Sequence, residues 1–230
     1  MGRKISVVIP VWNGAAYLAE AIQCALDQDY PYKEVIVVND GSTDRSEEVI
    51  ETFEGRIQHV YQENKGLGAS RNRGVQLSTG EILAFLDQDD LWTREKLSRQ
   101  MGELDQHASE DPLIFSSAEQ FICPSLSEEE RNKISISQTV LPGYIAGTLL
   151  VSKIRFFQIG YFFEEKGIGE FLDWYSRAHA MNVPVRMLSE ILFYRRIHRT
   201  NMGRQPECFC RSDYLKVLKR GLERRRNYAL

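Results

Sequence analysis

Ile5 to Pro10 reads ISVVIP, an apolar and largely β-branched run, the pattern of a strand buried on both faces. Ala15, Leu18, Ala21, Ile22, Ala25 and Leu26 then recur at helical spacing, and Tyr30-Pro31 stops that helix before EVIVVND, a second buried strand. Asp44 followed three residues later by Glu47 fits a capping box opening a helix to about Phe53. Arg56 to Tyr61 reads as a third strand, Gly68 to Leu77 as a helix and Glu81 to Leu86 as a fourth apolar strand. This strand-helix alternation predicts an α/β fold built on an open, mixed but mainly parallel sheet flanked by helices, with right-handed crossovers.

The second half is less regular. A helix over Thr93 to Gln106, capped by Thr93, is followed by a strand within Pro112 to Cys123, and Pro124 to Val140, which contains EEERNK, reads as a mobile polar loop. The pattern divides one domain into a regular half (1–106), a second half (107–204) and a basic C-terminal helix (205–230).

Composition narrows the classes. A chain of 230 residues with 43% hydrophobic content can bury a sizeable core, and a net charge of -3 gives no reason to expect nucleic acid as a partner. Cys24 and Cys123 stand alone, and Cys208 and Cys210 form a C-x-C pair without a second pair at zinc spacing, so the thiols read as reduced in a cytoplasmic protein. No stretch reaches the roughly 18 to 20 apolar residues of a membrane span. The tail DYLKVLKRGLERRR places Tyr214, Leu215, Val217, Leu218 and Leu222 on an apolar stripe beside Lys216, Lys219 and Arg220. That helix fits packing on the domain, with peripheral contact to anionic lipid or a partner chain as the alternatives.

In an open parallel sheet, ligands bind outside the carboxyl ends of the strands. Three such ends carry polar turn residues: Val11-Trp12-Asn13-Gly14, Asn39-Asp40-Gly41-Ser42 and Asp87-Gln88-Asp89-Asp90. Carboxylates spaced D-x-D suit a hard divalent cation, which can neutralise a diphosphate. Other cation and nucleotide motifs fail on spacing. An EF-hand counted from Asp87 meets Trp92 where glycine is needed and Ser98 where the bidentate glutamate belongs, and neither G-x-G-x-x-G after the first strand nor a P-loop is present.

In order and spacing, SVVIPVWN, VIVVNDGSTD, NKGLGASRNRG and FLDQDD resemble the nucleotide-sugar-binding half of a family 2 glycosyltransferase with the GT-A fold; the likeness is strong over the first hundred residues and weaker to about Asn201. The resemblance implies an inverting transferase using a nucleotide-sugar donor, most simply a UDP-sugar, with Mn2+ or Mg2+. It makes residues 1–106 the donor half and 107–204 the acceptor half. Carried over, it has Asp40 accept from the base, Pro10 and Trp12 line the base pocket and Arg71 lie near the nucleotide or diphosphate. Asp89 becomes the metal ligand, Asp87 a ribose contact or second metal ligand, Gln88 a neighbour in the donor site, and Asp90 the residue that orients the loop.

Family members commonly carry a Glu-Asp pair before a tryptophan and arginine, the aspartate being the base that deprotonates the acceptor. In GIGEFLDWYSRA, Glu170 matches but Phe171 replaces that aspartate, leaving Glu170, and behind it Asp173, as base candidates near a helix start. The segment LFYRRIHRTNMG resembles the family's closing segment and assigns His198 to the metal or diphosphate, with Arg195, Arg196 and Arg199 as cations for the diphosphate. Gly147 is expected to let the acceptor approach closely. The acceptor, whether glycan, lipid-linked or peptide, is not specified. Two other readings are a sugar nucleotidyltransferase, which wants a glycine- and arginine-rich loop after the first strand where this chain has Val11 to Gly14, and a nucleotide-sugar-binding protein without transfer, for which Phe171 speaks.

Overall fold

The computed structural model describes residues 2–134, 136, 140–165, 167, 169–201, 215, 217 and 219–221. Its first half follows the predicted alternation: β1 (Ile5–Val11), α1 (Leu18–Leu26), β2 (Lys33–Asp40), α2 (Ser46–Glu51), β3 (Gln58–Gln62), α3 (Leu67–Leu77) and β4 (Ile82–Phe85). The second half contains β5 (Leu91–Trp92), α4 (Lys96–Gln106), β6 (Leu113–Ile122), α5 (Glu128–Asn132), β7 (Leu141–Pro142), β8 (Leu150–Ser152), α6 (Lys153–Ile159), α7 (Glu170–Ala180) and β9 (Val185–Ile197). One mixed sheet runs through both halves in the order β3-β2-β1-β4-β8-β6-β9-β5, with β7 beside β6. β1 pairs in parallel with β2 and β4, and β4 passes to the second half through antiparallel β8.

Strand β1 is buried at every position because each of its faces meets a core. Ile5, Val7, Ile9 and Val11 join α1 and α4 on one side, while Val8 joins Val75, Phe85, Phe156 and Trp174 on the other. Alternating side chains feed opposite layers, so this strand with two covered faces is apolar except at Ser6, whose buried hydroxyl donates to Glu34 and accepts from Gly80 N. Pro10 costs no ladder bond. Leu86 N–H donates to the Val8 carbonyl at 3.0 Å, but β4 pairing ends there, so the missing N–H of Pro10 faces a gap in the sheet.

Three local expectations are corrected. No side chain caps α2: Asp44 accepts from Ser46 N at 2.9 Å, and Glu47 is drawn away to Asn39, whose buried amide needs an acceptor. Helix α4 begins after Glu95 without a side-chain cap, and the Thr93 hydroxyl is buried without a hydrogen-bond partner. Within the expected loop, Glu128–Asn132 is helical, opened by a capping box between Ser127 and Glu130.

Most of the expected C-terminal helix lies outside the described residues. Those described are helical or border the acceptor half: Val217 is buried, and the Arg220 guanidinium lies 3.7 Å from the centre of the Phe163 ring. No helix of the described residues is long and apolar enough to cross a membrane.

Candidate active site

Parallel register brings the ends of β1, β2 and β3 to one rim: Val11 lies opposite Asn39, and Asp40 opposite Gln62. The two loops that leave β1 and β2 are zipped together. Asn13, held at a φ of 51°, accepts at its side-chain oxygen from Thr43 N at 2.7 Å, while Gly14 N donates to the Ser46 hydroxyl at 2.9 Å and Ala15 N to Asp44 at 3.0 Å. Asparagine is among the few residues that tolerate this left-handed backbone. The sequence signal for this zipper was the pair of loops WNG and GSTD, rich in short side chains that bond backbone.

Gln88 grips Trp12 from the far side of β1. Its amide accepts from Trp12 N at 2.7 Å and donates to Trp12 O at 3.0 Å. A Cβ on Gly14 would lie 2.4 Å from the Gln88 side-chain oxygen, so glycine is required for the grip. The result is a fixed backbone that holds the Trp12 indole 50% exposed at the rim, above buried Pro10.

Asp40 is 3% exposed and takes three donors: Gln62 Nε2 at 2.7 Å, Lys65 N at 2.9 Å and Gly66 N at 2.8 Å. It therefore anchors the turn that opens α3. A carboxylate has about four acceptor positions, which leaves room for one further donor.

The D-x-D loop gives its three aspartates different surroundings. Asp87 binds the Arg71 guanidinium at 2.6 Å, and Arg71 is 2% exposed with Glu170 paired on its other nitrogen. Asp89 Oδ2 lies 2.8 Å from His198 Nε2 and 3.3 Å from Asn201 Nδ2, so residues 109 positions apart meet. Asp90 is buried and accepts from Arg196 N at 2.9 Å; burial, then the charges of Asp89 and Asp87, push its carboxyl well above the ordinary range.

Arg196 is a structural clamp, which corrects its expected place at a diphosphate. It is 4% exposed, donates to the Asp89 carbonyl at 3.0 Å and to Glu20 at 2.7 Å, and lies over the rings of Tyr17 and Phe121 at 4.8 and 5.0 Å. Tyr17 in turn packs on the His198 ring at 4.6 Å. Arg199 pairs with Glu130 and ties α5 to the His198 segment, and Arg195 is the member of the trio whose charge favours ionised Asp90. Asn201, which the sequence reading passed over, accepts from His198 N at 2.6 Å and fixes the turn that carries the imidazole.

The acceptor-side expectations fare differently. Glu170 opens α7 as predicted and is joined to Arg71, its side chain 10% exposed. Asp173 is 2% exposed and faces Arg177 at 3.1 Å and Arg220 at 3.7 Å. Phe171 packs among Phe115, Trp174 and Tyr175, so an apolar ring fills the place the resemblance gives to the base. Gly147 is not an approach for a ligand: a Cβ there would meet the Phe193 ring at 2.4 Å, and its carbonyl accepts from Trp92 Nε1 at 2.8 Å.

The rim thus gathers a half-exposed indole, a buried carboxylate and a D-x-D loop backed by histidine. The family model for Glycosyl transferase family 2 matches residues 6–115. The chain has the GT-A fold, and its first half is similar to family 2 of the glycosyltransferases.

It is 33% identical over 206 residues to an uncharacterized glycosyltransferase of Rickettsia typhi, covering 84% of this chain and 64% of that one. It is 38% identical over 118 residues to glycosyltransferase GlyG of Streptococcus pneumoniae, covering 50% of this chain and 39% of the other. The chain thus spans between 34% and 64% of the length of the Rickettsia relatives matched over 84% of it. Among solved structures, S. aureus TarS 1-349 in complex with UDP-GlcNAc superposes with a TM-score of 0.68 at 21% identity, covering 86% of this chain and 60% of that one. The match to this family speaks against the nucleotidyltransferase reading.

Proposed function

We propose that the chain is an inverting glycosyltransferase that takes its sugar from a UDP-linked donor with the help of a divalent cation. The observation that carries the reading is the meeting of Asp89 and His198 at 2.8 Å, beside the strand ends that hold Trp12 and Asp40. The solved complex of S. aureus TarS with UDP-GlcNAc, which shares the fold, supports the choice of donor.

The donor set fits Mg2+ or Mn2+. Such ions are commonly held by one or two carboxylates with substrate phosphates and water completing the shell. Among the described residues no cluster of three or more His, Cys, Asp or Glu side chains forms a complete cage, so the diphosphate itself would complete the site. Asp89 and His198 would hold the ion, with Asp87 near the ribose or the ion. When bound, the cation supplies neutralisation of the departing diphosphate.

The protein's own groups do the rest. Asp40 offers its remaining acceptor position to a donor N–H on the base, and the Trp12 indole gives the base or ribose an apolar face, with Pro10 beneath. Gln88 serves the donor by holding Trp12. Arg196 holds the Asp89 carbonyl and is itself held by Asp90, while His198 and Asn201 hold the Asp89 carboxylate. The acceptor nucleophile enters from the side of α7, whose first turn carries the carboxylates Glu170 and Asp173. The acceptor, cellular location and any membrane contact through the basic tail belong to this proposal only as open classes: glycan, lipid-linked or peptide acceptor, in the cytoplasm or at its membrane face.

A thermal-shift screen of nucleotide sugars with and without manganese tests the reading, together with UDP release from the best donor. UDP-sugars should stabilise the chain more with manganese than without, because ligand bound only to the native state raises stability by mass action. Asp89→Ala should erase the manganese-dependent part and reduce turnover by 100-fold or more, on the scale of a lost electrostatic contact to a leaving group. Wild-type manganese-dependent turnover in that variant removes the metal role; donor binding without turnover across a broad acceptor panel favours a binding protein.

A further inference from the structure

Helix α3 packs closely against the second half of the molecule. A Cβ on Gly68 would stand 2.0 Å from the Phe163 carbonyl and 3.4 Å from Glu170 Cβ, so only glycine admits the acceptor-side segment at this distance. One turn on, Asn72 donates to the Phe162 carbonyl at 2.8 Å and to Glu164 at 2.9 Å, and accepts from Phe162 N at 2.9 Å. Between them lies Arg71, 2% exposed, with one nitrogen on Glu170 and another on Asp87 at 2.6 Å. Glu170 and Asp87 come from opposite halves and are joined by a single guanidinium.

We infer that Glu170 is a positioning residue, not the proton acceptor: it holds Arg71, and through Arg71 fixes Asp87 at the donor site. A base must turn a free lone pair to the incoming hydroxyl. Glu170 has Oε1 committed to a buried cation whose planar fork is built to hold two carboxylates in fixed geometry, so its carboxylate is held on that fork and is not free to turn to a hydroxyl. Removing Glu170's charge leaves Arg71 with one carboxylate and frees it to swing toward Asp87, which shifts the group that the donor meets. The effect of a Glu170 variant is therefore felt first in donor binding. This rests on the reading of Asp87 as part of a nucleotide-diphosphate site.

The test compares wild type, Glu170→Gln, Glu170→Asp, Arg71→Lys and the Glu170→Gln/Arg71→Lys double variant. Calorimetric titration with UDP in magnesium is paired with the rate of UDP release from UDP-GlcNAc in water. Glu170→Gln and Arg71→Lys should each weaken UDP binding about tenfold, the double variant should be no worse than the poorer single one, and Glu170→Asp should stay within about threefold of wild type. Wild-type UDP affinity in Glu170→Gln together with a 100-fold loss of release would make Glu170 the base and overturn the inference. So would losses that simply multiply in the double variant. If wild type binds no UDP, the donor reading falls. The same variants are then compared by thermal unfolding: non-additive losses for Glu170→Gln and Arg71→Lys support the bridge, and additive losses refute it.

Discussion

Lys96 offers a test of the packing that joins α4 to the rest of the fold. Its side chain is fully buried, with Nζ donating to Gln100 Oε1 at 2.7 Å and lying 4.0 Å from the centre of the Trp92 ring. Burial pulls its pKa from 10.5 down to about 7. Because the folded state holds the proton less tightly than the unfolded chain, the penalty is fully present below pH 7 and is relieved as pH rises toward 10.5. At about 1.4 kcal/mol per pH unit, raising pH from 7 to 9 returns roughly 3 kcal/mol. The Trp92 face favours the ammonium form and takes back about 1 to 2 kcal/mol of that. A net gain of ~1 to 2 kcal/mol corresponds to about 2 to 8 °C in Tm for a chain of this size.

Lys96→Met keeps the length and apolar stem but removes the charge. It also leaves the Gln100 oxygen without its donor, a loss of about 1 kcal/mol that does not change with pH. Calorimetric melting of both proteins from pH 6 to 9 should show the variant gaining on wild type toward the acid end and losing that advantage toward pH 9. Difference curves that are flat across this range would mean that Lys96 is not the titrating group, and the reasoning from burial fails.

Asp40→Asn should lower stability by about 2 to 3 kcal/mol and weaken nucleotide binding, because in either orientation its amide NH2 would face a donor, the Gly66 N–H on one side or the Lys65 N–H and Gln62 amide on the other; unchanged urea denaturation would refute the anchoring role. Gly147→Ala should cost about 1 to 3 kcal/mol by overpacking against Phe193, and sparing acceptor KM while lowering Tm is the pattern expected of a core position. Arg196→Lys should cost about 2 kcal/mol in thermal melts, since lysine cannot bridge Glu20 and the Asp89 carbonyl while lying over two rings; a neutral result would remove the clamp.

The first half was legible because its strand ends follow its periodicity. ISVVIP and EVIVVND announce two-faced strands, and residues just past them lie at the rim by the geometry of any parallel sheet. Asp89 and His198 could be matched only through resemblance, since nothing local in a chain pairs positions so far apart. The antiparallel pairing of β5 with β9, which brings the end of β9 and His198 beside that loop, follows from no pattern in either strand.

Helix α3 was legible in extent but not in meaning: its buried face carries Gly68, Ser70, Arg71, Asn72 and Gly74, so hydrophobic spacing passes over the residues that matter most. The expected caps at Asp44 and Thr93 failed for the opposite reason, because both motifs are local and tertiary partners claimed or bypassed the side chains.

The lack of side chains at Gly68 and Gly74 sets how this enzyme can be changed. Val8 already fills the space a Cβ would need at Gly74, at 2.2 Å, as Phe163 does at Gly68. Along this helix there is no spare volume in which to tune one half without moving the other. Efforts to redirect sugar or acceptor choice would therefore find few tolerated substitutions on α3. Tyr144, 46% exposed and resting on Phe115 and Tyr175, leaves a more open face on the second half where side chains have room to vary.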